Sequence, residues 1–157
     1  MTRLKLNLVK TLAAMKFALA ALLLLAGAAH ARGTTGAEQG RVHIEISKSS
    51  QRMIVYVDGE QRMTFRVSTG KEGYATPSGS FRALSMKLMH YSKKFDNAPM
   101  PHSIFFRGGY AIHATNAVRN LGRPASHGCV RLSPRDAAAL YALVEKMGMR
   151  NVSIRIS

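Results

Sequence analysis

From residue 41 onward, several stretches of the chain alternate apolar and polar positions with a period of two. Val42, Ile44 and Ile46 alternate with Arg41, His43, Glu45 and Ser47, which predicts a strand with one buried face. His43 falls on the solvated side. Residues 52–57, Arg-Met-Ile-Val-Tyr-Val, are apolar on both faces after Arg52 and predict a more central strand. Asp58-Gly59 supplies a two-residue hairpin turn. On the return, Met63, Phe65 and Val67 alternate with Arg62, Thr64 and Arg66. A stretch punctuated by Gly70, Gly73, Pro77 and Gly79 then feeds a further strand predicted over 81–88. No sustained period runs through 89–102, which is expected as a long loop; loops of that length in compact domains are often lids or binding loops. Two short β segments, 103–106 and 110–113, flank Gly108-Gly109, and a loop is expected over 114–125.

The period becomes helical once. Ser133 is placed as N-cap, Pro134 at the first helical position and Asp136 in the first turn. Ala137, Leu140, Tyr141, Val144 and Met147 recur on one stripe, so Tyr141 and Met147 are packing residues, and Gly148 ends the helix. Val152, Ile154 and Ile156 make a last alternating strand. These elements predict one mainly β domain over 41–157 with a single C-terminal helix, preceded by a lead-in over 32–40 that lacks apolar periodicity.

Residues 1–31 follow another logic. Arg3, Lys5, Lys10 and Lys16 precede an uninterrupted apolar run over 17–26, and Ala29-His30-Ala31 fits a small-x-small cleavage pattern. The whole apolar stretch, 17–29, is 13 residues, short of the ~20 a membrane-spanning helix needs. A cleavable export signal is therefore expected, with the mature chain starting at Arg32. The protein is expected to be exported, periplasmic or associated with the cell wall, with no stable membrane insertion after cleavage. Without 1–31 the chain keeps 19 Lys+Arg against 8 Asp+Glu, a net charge of +11. That suits a polyanionic surrounding. Nucleic acid is not an expected partner, because the basic residues are scattered, tryptophan is absent, and stacking aromatics are not interleaved with the charge.

Cys129 is the only cysteine of the 157 residues. In an oxidising compartment a lone thiol is either an intermolecular link or a reactive group. It stands in Ser126-His127-Gly128-Cys129-Val130-Arg131-Leu132, sixteen positions after His113, which closes the apolar run Tyr110-Ala111-Ile112. A nucleophilic cysteine needs a base or a positive charge beside it, and a histidine elsewhere in the chain is the sequence form of that pairing. Two other readings compete. His113, His127 and Cys129, with His90 or His102, would make a zinc ligand set, although the His-Gly-Cys spacing and the single thiolate are unusual for structural zinc. Alternatively the chain is a non-catalytic, basic wall-binding protein, which leaves the Cys/His constellation unexplained.

Several ordered signatures resemble one family. They are Thr76-Pro77-x-Gly79-x-Phe81, Met100-Pro101 with residues 105–107, Gly108-Gly109-Tyr110-Ala111-Ile112-His113, and the Ser126–Leu132 element. Together they are similar to the L,D-transpeptidase (YkuD-type) catalytic domain, over roughly residue 41 to the C-terminus. The resemblance implies a β-sandwich of mixed short strands with the helix packed on it, and peptidoglycan stem peptides as donor and acceptor. It implies no metal and no cofactor. By position, Cys129 matches the nucleophile and His113 the general base, held through the backbone carbonyl of Ala114. The backbone amides of Gly128 and Cys129 are the expected oxyanion donors. His127 is expected on the oxyanion side or in a structural role. Arg131 is placed to meet a substrate carboxylate, Ser126 to fix the turn, and Tyr91, Met100 and His102 to contact substrate from the lid. Acylation of Cys129 by carbapenems is also implied. The same thioester chemistry could end on an amine, on water (an L,D-carboxypeptidase or endopeptidase), or on a lipoprotein lysine.

Overall fold

The structure is a computed structural model whose described residues are 40–157; the expected export signal and residues 32–39 of the lead-in lie outside them. The alternating residues at the start fold as an antiparallel meander: β1 (Val42–Ser47), β2 (Arg52–Val57) and β3 (Glu60–Arg66). Asp58 and Gly59 both take positive φ, 54° and 84°, in the turn between β2 and β3. The last strand, β9 (Val152–Ile156), pairs parallel with β1, and β4 (Gly79–Arg82) pairs antiparallel with β9. The first sheet thus runs β3-β2-β1-β9-β4. The second sheet runs β5 (Ser85–Ser92), β6 (Ala98–Arg107), β7 (Tyr110–Ala114) and β8 (Val130–Leu132), with β7 and β8 parallel.

The apolar halves of these alternations form one core. Val42, Ile44, Ile46, Met53 and Val55 from the first sheet share it with Ile104, Ile112, Val130 and Leu132 from the second. Helix α1 (Pro134–Met147) contributes Ala137, Leu140 and Val144 and packs against β6, β7 and β8. Its ends are those the sequence predicts. Ser133 Oγ accepts a bond from Asp136 N at 3.1 Å, and Gly148, with φ of 78°, closes the helix by donating its N–H to Val144 O at 2.9 Å. Strand β7 is buried at four consecutive positions, Ala111 to Ala114, so both of its faces are covered.

Two expectations need correction. The strand predicted over 81–88 is two strands in different sheets: the chain leaves the first sheet after Arg82 and enters the second at Ser85. The loop expected over 89–102 is a β-hairpin, with β5 and β6 in register from Ser85↔Phe105 to Ser92↔Ala98. Its period was illegible because the outer ribbon faces solvent: Leu88, Met89 and Tyr91 are all exposed, so no buried face imposes alternation. The prolines fit as well. Pro99 and Pro101, two apart, turn their N–H-less nitrogens to the same edge, and β7 pairs with β6 only from Ile104 onward, so no ladder bond is lost there. At the tip, Asp96 and Asn97 have φ of 48° and 52°, and Ala98 N donates to Phe95 O at 2.8 Å, a tight type I′ turn. Strand β8 was not foreseen at all; three residues are too few to show a period.

Candidate active site

The parallel pairing of β7 with β8 sets Ile112 beside Val130 and His113 beside Arg131. Every second residue of a strand shares a face, so His113 and Arg131 project together, and Cys129, one step before β8, falls on the same side abreast of Ala111. The Cys129 thiol lies 3.7 Å from the Gly109 carbonyl, to which it donates, and takes a bond from the Ala111 N–H.

The turn that presents Cys129 is held from several directions. Ser126 Oγ accepts from Gly128 N at 3.0 Å and donates to Cys129 O, bridging the turn internally. Thr76 Oγ1 donates to Gly128 O at 2.8 Å while accepting from Gly70 N at 2.8 Å. Ser68 and Arg131 exchange both backbone bonds, and Ser126 N donates to Thr69 O at 2.9 Å. Thr69 is fixed in turn by the buried Gln51: Thr69 N donates to Gln51 Oε1 at 2.9 Å and Gln51 Nε2 donates to Thr69 Oγ1 at 2.6 Å. Two glycines are required here. A Cβ on Gly70 would lie 1.8 Å from the Tyr74 carbonyl oxygen, and one on Gly128, whose φ is 111°, would lie 2.7 Å from Tyr110 Cε1.

His113 is 6% exposed, and its Nδ1 stands 2.7 Å from Ala114 O. A carbonyl oxygen can only accept, so Nδ1 carries the proton and Nε2 keeps its lone pair. Burial, the largest cause, pulls the His113 pKa from 6.5 down to about 4; the Ala114 bond opposes this, and the charges of Arg131 and His90 reinforce it. Burial also raises the Cys129 pKa, partly offset by the Ala111 N–H and by Arg131. Near neutral pH the pair is therefore a thiol beside a neutral imidazole. Both line a cavity of about 670 Å³ together with Arg131, Met100 and the hairpin tip residues Lys94, Phe95 and Asp96. Such an arrangement can run nucleophilic acyl chemistry, with the imidazole taking the thiol proton as the nucleophile attacks.

The model of the YkuD family, the L,D-transpeptidase catalytic domain, matches residues 41–154. The chain belongs to this family. It is 24% identical over 106 residues to YkuD of Bacillus subtilis (strain 168), whose name marks it as an inferred L,D-transpeptidase; the match covers 65% of this chain and 60% of that protein. Among solved structures, an L,D-transpeptidase from Mycobacterium smegmatis superposes with a TM-score of 0.67 at 26% identity, covering 75% of this chain and 59% of that one. The LD transpeptidase LdtMt1 in complex with imipenem superposes with a TM-score of 0.68 at 23% identity, covering 75% and 59%. The chain thus spans about 60% of the length of these relatives.

Within this L,D-transpeptidase domain, the expected site residues divide. Cys129, His113, Arg131, Ala114, His127 and Met100 line the cavity. Ser126 lies beneath it and bridges the turn. Tyr91 and His102 do not line the cavity. Tyr91 sits opposite Pro99 on the hairpin and is 55% exposed. His102 takes φ of 52°, interrupts the β5–β6 register opposite Leu88, and sets its ring against Tyr141 at 5.6 Å. The Gly128 N–H donates to Ser126 Oγ at 3.0 Å in this conformation. His127 is exposed; its ring stacks on Phe95 (4.8 Å, 16°) and meets Tyr74 edge-on (4.6 Å, 76°). Among the described residues no three His, Cys, Asp or Glu side chains converge as metal ligands, so the zinc set does not assemble.

Sequence reasoning missed Thr76, Gln51 and the hairpin tip. Thr76 stood in a quoted motif, where its turn chemistry masked its tether to Gly128. Gln51 carried no signal, since one glutamine between strands looks like any other.

Proposed function

We propose that this domain is an L,D-transpeptidase acting on peptidoglycan stem peptides outside the cytoplasm, where residues 1–31 would direct it. The carrying observation is Cys129 sharing a cavity with His113, whose free Nε2 lone pair makes it a base. Cys129 Sγ attacks the carbonyl of the L-centre of diaminopimelate as its proton passes to His113 Nε2. The tetrahedral oxyanion is met by the Cys129 N–H. Collapse breaks the amide C–N bond, D-alanine leaves with the proton from His113, and a thioester remains on Cys129. An acceptor amine then attacks that carbonyl, forms a new amide and returns the sulfur to thiol, closing a 3-3 crosslink. Arg131, half-buried on the same face, suits a stem-peptide carboxylate, which a guanidinium binds through paired N–H donors. The fold shared with a relative bound to imipenem supports carbapenem acylation of Cys129, in which the thiolate opens the β-lactam amide.

Incubation with disaccharide-tetrapeptide muropeptides, followed by separation and mass analysis, tests the reading. The expected product is a dimer that has lost one D-alanine, absent with Cys129→Ala and with His113→Ala. Tripeptide monomers alone would move the function to hydrolysis. No product from the wild-type protein, together with no imipenem adduct, would overturn the proposal.

A further inference from the structure

The thioester can be resolved by water or by an amine, and the two acceptors differ in charge. A primary amine arrives at neutral pH mainly as an ammonium ion, whereas water is uncharged. Apart from its histidines, the catalytic cavity carries the cations Lys94 and Arg131, which suit a carboxylate-bearing donor and repel an ammonium. One lining residue has the opposite sign: among the described residues, Asp96 is the only acid on the cavity wall.

Asp96 is held in place. It occupies the first central position of the type I′ turn at the hairpin tip, with φ of 48°, and Asn97 follows at 52°. The turn is closed by the bond from Ala98 N to Phe95 O, and Phe95 N donates to Ser92 O at 3.1 Å just before it. The neighbouring side chain, Phe95, stacks on His127, two residues from Cys129, and Tyr74 supports the same imidazole from its edge. The tip is therefore pinned to the nucleophile turn by a three-ring contact, which holds the backbone that carries Asp96 against that turn. Among the described residues Asp96 forms no ion pair; the adjacent Lys94 places its Nζ over the Phe95 ring at 5.6 Å instead.

We infer that Asp96 is a specificity-determining residue that receives the ammonium group of the acceptor and biases the Cys129 thioester toward aminolysis. The inference rests on the acyltransferase reading. The carboxylate gathers the cation at the cavity mouth. The ammonium gives up one proton to solvent, and the free amine nitrogen attacks the thioester carbonyl. The C–N bond forms and the C–S bond breaks as His113 takes the second proton from the nitrogen and passes it to the leaving sulfur, which regenerates the Cys129 thiol. The effect belongs to the second half-reaction alone, because the donor carbonyl is attacked before any acceptor is needed.

Asp96→Asn tests it without disturbing the turn, since asparagine also tolerates the left-handed region. Three readouts are taken on the same protein: D-alanine release from the donor, the ratio of crosslinked to hydrolysed product as amine acceptor is raised, and the same ratio with hydroxylamine, which is uncharged at neutral pH. The expected result is unchanged D-alanine release and a roughly two- to fivefold lower aminolysis ratio with the ammonium acceptor, the size of one exposed ion pair. The hydroxylamine ratio stays unchanged, and Asp96→Glu restores part of the loss. An unaltered ratio with the ammonium acceptor would overturn the inference. So would an equal loss with hydroxylamine, because that marks a displaced lid rather than a lost charge. Absence of D-alanine release from the wild-type protein would instead remove the acyltransferase reading beneath it.

Discussion

Replacing His113 with asparagine should flatten the acid side of the stability profile. The native ring is buried and neutral, with a pKa depressed from 6.5 to about 4 chiefly by burial. The unfolded chain binds a proton at this residue below about pH 6.5, and the folded one does so only near pH 4. Between those values the unfolded state holds more protons, so stability falls as the pH falls, and the contribution is fully present only above the unfolded pKa. The depression corresponds to about 3 kcal/mol lost by pH 4. That is a large share of the 5–15 kcal/mol by which a domain is usually stable. Asparagine keeps an N–H for the Ala114 carbonyl and has no titratable group. Urea unfolding at pH 7 and pH 4 measures the difference, and other titrating residues cancel between the two proteins. The wild-type protein should lose about 3 kcal/mol more than His113→Asn over this interval. Equal acid losses would refute the claim that His113 is buried uncharged. The kinetic counterpart is the acid limb of imipenem acylation, which should lie near pH 4 to 5; a limb at 6.5 would place the base in solvent.

Three further outcomes follow from named contacts. Thr76→Val keeps the shape but leaves Gly128 O and Gly70 N without their shared hydroxyl; unfolding free energy should fall by about 1–3 kcal/mol, with slower thioester formation measured by mass. Gly128→Ala puts a methyl group 2.7 Å from Tyr110 Cε1 at a φ of 111°, so adduct formation should be lost or severely slowed, and denaturant unfolding should show a cost of about 1–3 kcal/mol. Ser133→Ala removes the bond from Asp136 N at the start of α1 and should cost about 1 kcal/mol in unfolding free energy while leaving acylation rates unchanged.

Where one face of a strand is buried, the sequence reveals the strand: Val42, Ile44 and Ile46, or Val152, Ile154 and Ile156, can be read without a structure. The helix was equally readable, because its stripe, its cap and its terminating glycine agree. The β5–β6 hairpin was not, since a ribbon with solvent-facing sides has no pattern to impose. The site followed the same division. Cys129 and His113 were found because their chemistry is scarce in the chain and their motifs ordered. The bond from the Gly128 amide to the Ser126 hydroxyl was not legible, because a side-chain acceptor two residues away leaves no pattern in the sequence. Phe95 and Asp96 were passed over because their role depends on the turn that folds the tip onto His127.

The hydrogen bonds around Cys129 also say how the resting site must change to react. The thiol points to the Gly109 carbonyl, and His113 is committed through Nδ1 to Ala114. The base is thus fixed, while the nucleophile is held only by weak sulfur contacts, to the Gly109 carbonyl at 3.7 Å and from the Ala111 N–H. The rest of the turn is tied by Ser126 and Thr76, which leaves rotation of the Cys129 side chain as the freedom the nucleophile keeps. Burial keeps both members of the pair neutral, the imidazole by lowering its pKa and the thiol by raising it, so the resting protein holds no unpaired thiolate.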